Sequence, residues 1–202
     1  MDDMARSVLG VAPARFAVVG LSLGGIVALH MALRAPERVV GLALIGANAR
    51  AVPDDLHDSR RSEAAAARAD LAAYARSTLA PLYAGTIAPS DPSFADLIAD
   101  MAVAMGADAL DAQSAAALGR PDLRQRLQDV AAVTAVIAGE EDRLGTPEMQ
   151  RELAAGIPDA SLLLVGGAGH LVTVEAPAAV ETALRTWLTR VDAKAIVTGS
   201  PR

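Results

Sequence analysis

A hydroxyl, an imidazole and a carboxylate can together cleave an acyl bond, and this 202-residue chain presents each of them in a constrained local setting. Gly20-Leu21-Ser22-Leu23-Gly24 is a G-x-S-x-G pentapeptide between a continuous apolar run, residues 15–20, and a stretch of helical spacing that opens at Leu23. A serine in such a strand-to-helix turn is lifted clear of the sheet edge. It also stands at a helix N-terminus, whose partial positive charge favours an oxyanion. The turn is tight enough that a side chain at Gly20 or Gly24 would strike the neighbouring strand or helix. The backbone N–H of Leu23 is the natural oxyanion donor. A glycine-rich turn with a solvated serine would read the same way, so the pentapeptide needs its partners. Phosphate-binding readings fit worse, because the turn lacks a P-loop lysine and Ser22 stands where a dinucleotide fingerprint has its second glycine.

A serine hydroxyl is a weak nucleophile near neutral pH and needs a histidine to take its proton, itself oriented by a carboxylate. The chain has three histidines. His170 closes Gly166-Gly167-Ala168-Gly169-His170, a flexible loop just past a predicted strand, and is the expected base. His30 falls within a predicted helix and reads as a half-buried structural residue, and His57 lies among polar residues and reads as solvated. For the orienting acid, Glu140-Glu141-Asp142 follows another predicted strand. Asp142 is the choice because a short side chain on a loop fixes an imidazole better than a longer, floppier one, with Glu141 in reserve. The competing reading is an acidic cluster that faces water and favours the helix expected to start at Pro147.

Those three side chains must be positioned by strands. Residues 15–20, 39–45, 133–138 and 161–165 are short apolar runs of the kind found in strands buried on both faces. Helical spacing follows at 23–33, 147–156 and 175–191, an alternation that predicts a parallel sheet with right-handed crossovers. Between Ala47 and Ala132 the chain turns to Ala-rich helical stretches broken by Pro53, Pro81, Pro89, Pro92, Gly106 and Pro121. The expected organisation is a core of residues 1–46 and 133–192, a helical cap of residues 47–132 over the sheet's C-terminal edge, and a flexible tail at 193–202. Tyr74 and Tyr83 read as helix-packing residues, and Asn48 as a turn residue that could line the site.

Composition narrows the function classes. Apolar residues make up 52% of the chain and aromatics 2%, so a core of Ala, Val, Leu and Ile is available without disorder. A net charge of −6, with 18 Lys and Arg scattered along the chain, argues against nucleic acid or an anionic membrane as partner. The absence of cysteine excludes disulfides, zinc-thiolate sites and a cysteine nucleophile. An acidic Met1-Asp2-Asp3 start and no long apolar run predict a cytoplasmic protein.

Ser22, Asp142 and His170, in that chain order and within G-L-S-L-G-G, G-E-E-D and G-A-G-H, resemble the α/β-hydrolase superfamily, and the likeness covers nearly the whole chain. Gly119-Arg120-Pro121-Asp122-Leu123 and the His-Leu-x-x-x-Glu-x-Pro run from His170 to Pro177 resemble its small esterase and oxoadipate enol-lactonase-like branch. The resemblance implies an α/β-hydrolase fold acting on small carboxylic esters or lactones through an acyl-enzyme on Ser22, with no cofactor and no metal. Cofactor-free haloperoxidases, carbon–carbon bond hydrolases and acyltransferases use the same three residues. The alternative from another class is a non-catalytic module of this fold that binds a ligand or a partner chain. Family members begin with further strands and a His-Gly loop that supplies a second oxyanion N–H, whereas Met1 to Met4 here fall within the helix that follows them. The expectation is therefore an N-terminally truncated fold. Its first strand would be an open apolar edge able to pair in a homo-oligomer, and its activity would be weakened by roughly 100- to 1000-fold for one lost donor.

Overall fold

The computed structural model describes residues 1–89 and 92–197. Four strands, β1 (Phe16–Leu21), β2 (Val39–Ile45), β3 (Val133–Gly139) and β4 (Ala160–Val165), form one parallel sheet in the order β1-β2-β3-β4. Ahead of β1 runs α1 (Asp2–Val11), and α2 (Leu23–Arg34) joins β1 to β2. The long connection from β2 to β3 holds α3 (His57–Ala69), α4 (Leu71–Tyr74), α5 (Ala80–Tyr83), α6 (Ser93–Met105) and α7 (Ala107–Leu118). A wide five-residue turn, Ala75–Leu79, makes α4 and α5 nearly continuous. Then come α8 (Pro147–Gly156) between β3 and β4, the short α9 (Val172–Glu175), and α10 (Pro177–Val197).

Because strands follow one another in sequential order, each right-handed crossover advances in the same direction and leaves its helix on the same face. Alternate residues of a strand point to opposite faces, which separates two cores. On one side Leu42, Leu44 and Val136 pack with Ile26, Leu29 and Met31 of α2 and Leu153 of α8. On the other, Ala43, Ile45, Ala135 and Ile137 pack with Trp187 and Val191 of α10, and Trp187 Nε1 donates to the Val133 carbonyl at 2.9 Å. β3 is buried at every residue, as a central parallel strand must be. β1 lies at the sheet edge, as expected, and lacks the double-sided burial that its apolar run suggested. Among the described residues it pairs only with β2, α10 packs mainly on β2 and β3, and Val19 is 49% exposed.

The stretch expected to be all helical has no strand among its described residues. The tail is corrected in part. Residues 193–197 extend α10, where Lys194 Nζ donates to the Asp159 carboxylate at 3.0 Å and to the Ala131 carbonyl at 3.2 Å. Residues 198–202 lie outside the described residues. Among the described residues no helix is long and apolar enough to cross a membrane.

Candidate active site

A parallel sheet delivers all its C-terminal strand ends to one edge, and the sequence-predicted residues follow those ends. Ladder bonding runs on into the loops: Ser22 N–H donates to Ile45 O at 2.7 Å, Gly46 N–H to Ile137 O at 2.9 Å and Glu140 N–H to Val165 O at 2.9 Å. Each loop therefore departs from a fixed point. Ser22 has φ 51° and ψ −117°, and it is the one non-glycine residue with positive φ among those described. A conformation of this kind costs on the order of 1–3 kcal/mol and persists only when its surroundings impose it. The tight return onto α2 imposes it here, since a Cβ at Gly20 would overlap the Gly24 carbonyl. Leu23 begins α2, so its N–H is a first-turn donor with no intrahelical acceptor, beside the hydroxyl.

The three side chains meet although they lie far apart in the chain. His170 Nε2 is 2.9 Å from Ser22 Oγ, and His170 Nδ1 is 2.9 Å from Asp142 Oδ2. With the proton on Nδ1, the imidazole donates to the carboxylate and accepts from the hydroxyl. The other oxygen of Asp142, Oδ1, accepts the backbone N–H groups of Leu144 at 2.8 Å and Gly145 at 2.9 Å. A carboxylate held from both sides fixes the ring's tilt, and both residues are buried, at 3% exposure each. Gly46, with φ +55°, makes room for them. A Cβ there would sit 3.2 Å from Asp142 Oδ2 and 3.3 Å from His170 Nδ1.

A cavity of about 300 Å³ opens over Ser22 and His170. Leu23, Ile26, Leu79 and Leu118 give it apolar walls, while Asn48, Glu63, Gln113, Ser114 and Arg120 add polar ones. His30 is buried in α2, with Nε2 meeting no protein partner among the described residues, and burial pushes its imidazole below the ordinary range. His57 is partly buried rather than solvated, with Nε2 donating to the Val52 carbonyl at 3.2 Å. Glu141 turns away from the imidazole. Its carboxylate accepts from Thr86 Oγ1 at 2.7 Å and Thr86 N at 2.8 Å, bonds that hold its carboxyl below the usual range.

The alpha/beta hydrolase family model matches residues 1–183. The chain belongs to the α/β-hydrolase family. Among curated proteins it is similar to RutD of Variovorax paradoxus, whose name assigns it carbamate hydrolysis provisionally. The two are 31% identical over 96% of this chain and 75% of that protein. Among solved structures it is similar to a thermophilic esterase of Thermogutta terrifontis, with TM-score 0.83, 26% identity, and 94% of this chain and 72% of that one covered. The enol-lactonase of Burkholderia xenovorans is similar too, with TM-score 0.75, 26% identity and coverage of 91% and 68%.

Several site residues of this α/β-hydrolase were not legible in the sequence. Tyr83, read as helix packing, lines the cavity with its ring centroid 5.2 Å from that of His170, and its carbonyl accepts from His170 N–H at 2.8 Å. Tyr74 also lines the cavity. Glu175 accepts from Gly169 N at 3.0 Å and from Gly85 N at 2.8 Å, so the loop expected to be flexible is tied down on both sides. The Glu of the His-Leu-x-x-x-Glu run was the available signal, but its partner at Gly85 lies 90 residues away. Asn48, read as a turn residue that could line the site, does both: its Oδ1 accepts from Arg50 N–H at 3.0 Å, and it lines the cavity. Among the described residues no group of three or more His, Asp or Glu side chains is arranged to hold a metal ion.

Proposed function

We propose that this α/β-hydrolase is a serine hydrolase of small carboxylic esters or lactones, working through an acyl-enzyme on Ser22. The observation that carries the reading is the pair of 2.9 Å contacts linking the Ser22 hydroxyl, the His170 imidazole and the Asp142 carboxylate. Ser22 Oγ attacks the carbonyl carbon while His170 Nε2 takes its proton. The carbonyl electron pair moves onto oxygen, where Leu23 N–H and the α2 N-terminus face the new charge. Re-forming the carbonyl breaks the bond to the alcohol oxygen, which leaves with the proton from Nε2. Water then attacks the acyl-enzyme and gives a proton to Nε2, and the acid departs as that proton returns to Oγ. Asp142 keeps the imidazole in the orientation both half-reactions need. The esterase and enol-lactonase likenesses support ester and lactone substrates.

Carbamates are a second reading, supported by the RutD likeness and by Gln113 and Glu63 in the cavity wall, whose oxygens can accept from a carbamate N–H. A fluorophosphonate probe tests the common mechanism. Labelling mapped to Ser22 and lost in Ser22→Ala is expected, and labelling that survives the substitution means another residue is the nucleophile. Parallel turnover of a p-nitrophenyl ester, a small lactone and an aryl carbamate then ranks the substrates.

A further inference from the structure

The cavity over Ser22 has a neighbour. A second hollow of about 180 Å³ lies between α6, α7 and the helical segment 71–83, and it shares Leu79, Tyr83, Leu110 and Gln113 with the first. Beyond those four, its walls are Leu71, Ile98, Met101, Ala102, Met105, Gly106 and Leu171, without one charged group, in contrast to the Glu63 and Arg120 of the main cavity.

We infer that this second hollow is a subsite for an unbranched aliphatic arm of the substrate, and that the main cavity takes its polar, hydrogen-bonding part. The inference rests on the serine-hydrolase reading of the site. Position supports it, because Tyr83 bounds both spaces and packs against the His170 ring, and Leu171 is the next residue in the chain. An arm attached at the carbonyl can therefore pass Tyr83 and enter apolar surroundings. Chemistry supports it as well. Burying polar groups in such walls is costly without partners, whereas methylenes gain from leaving water. Met101 and Met105 are unbranched and polarisable, suited to closing around a flexible chain.

Size sets the length. A methylene is comparable to a water molecule, whose share of liquid volume is about 30 Å³, so the hollow accommodates on the order of six chain atoms. Met101 and Met105 are 53% and 59% exposed, so the far end of the hollow lies near the surface. Longer arms run out over α6 without gain, and the preference levels off. Two spaces meeting along a shared wall also favour an open-chain ester, which can extend into both, over a compact lactone ring that fills one.

Two substrate ladders test this on the full chain: p-nitrophenyl esters from acetate to decanoate, and alkyl acetates from methyl to octyl. Along at least one ladder, kcat/KM is expected to rise about fourfold per methylene, to roughly six methylenes, and then level. Ala102→Phe, which fills the hollow, is expected to cut the ratio of long-chain to acetate kcat/KM at least tenfold, mainly through KM. Met105→Trp, at an exposed position, is expected to do the same and keeps the test open if Ala102→Phe fails to fold. Flat ladders in an enzyme that does turn over acetate, or ratios unchanged in both variants, overturn the subsite alone. An enzyme with neither turnover nor Ser22 labelling overturns the reading beneath it.

Discussion

The sheet and the helices between β2 and β3 hold together by different means. Around the sheet, Leu, Ile, Val, Met and one Trp form two continuous cores, and β3 is wholly buried. The intervening helices share a small cluster of Ala75, Ala80, Phe94, Ile98, Ala99 and Leu171. Exposed ion pairs link their outer faces, Arg68 with Asp108 and Asp111, and Arg76 with Asp96. Exposed pairs contribute little, so the helices rest on few large apolar contacts. The half that brings Ser22, Asp142 and His170 together thus rests on large buried apolar cores, and the half that walls the cavity on a smaller cluster.

The two halves meet at a narrow apolar contact, where Leu171 joins the helical cluster and Leu21 packs against both it and the sheet core, and at a polar clasp. Glu175 bridges Gly85 and Gly169, Glu141 takes Thr86, Arg143 donates to the Pro81 carbonyl at 2.7 Å, and Ile87 N–H donates to Gly167 O at 3.1 Å. The loops carrying the predicted acid and base are thus fastened to the helical segment that lines the substrate space.

The comparison can be broken most sharply at the three side chains. His170→Ala and Asp142→Asn are each expected to lower kcat on the order of 1000- to 10,000-fold, with circular dichroism and melting temperature little changed. A large loss of stability instead would mean that the trio serves the fold. Next comes packing. Leu44→Ala, at a fully buried sheet position, is expected to cost about 2–5 kcal/mol in urea unfolding. Arg68→Ala on the helices should leave the same curve almost in place, and similar losses from both would erase the contrast drawn between the halves.

The clasp gives a smaller effect. Glu175→Ala frees the N–H groups of Gly85 and Gly169 and is expected to lower kcat on the order of 10- to 100-fold, more than it raises KM. Glu175→Gln, which keeps one acceptor oxygen, should recover part of the loss; a Gln variant no better than Ala would mean the carboxylate acts otherwise. The smallest effect concerns pH. Burial holds the His30 imidazole below its ordinary value, so the unfolded chain binds its proton first as pH falls. Stability from this residue is complete above about pH 6.5 and is lost as pH drops below it. His30→Leu should flatten the melting temperature between pH 7.5 and 5.5, and an unaltered slope would assign the dependence to other groups.

Much of the site could be read from the chain because its signals are local. The serine turn, a histidine ending a glycine-rich loop and an aspartate after an apolar run are each marked by a few adjacent residues, although the close approaches in the turn fall at Gly20 and Gly25 and not, as expected, at Gly24, where a Cβ would meet nothing within 4 Å. The strand runs 39–45 and 133–138 were legible for the same reason, since a strand buried on both faces must be apolar throughout. The first run was apolar as well, and its place at the sheet edge was expected from the family resemblance rather than from its own residues, which do not show that Val19 is half exposed. Glu141 and Asp142 could not be told apart with certainty by type. Thr86 separates them in space, by claiming one carboxylate and leaving the other to the imidazole.

By itself, then, the sequence determined which residues could carry chemistry and that a parallel sheet would present them, since both follow from steric rules acting within a few residues. The tertiary structure alone decided that Tyr83 stands beside His170, that Glu175 reaches Gly85, and that a second apolar hollow adjoins the first. Those contacts join residues dozens of positions apart, and their energy depends on how helices of nearly uniform, Ala-rich composition pack, which no short stretch of chain encodes.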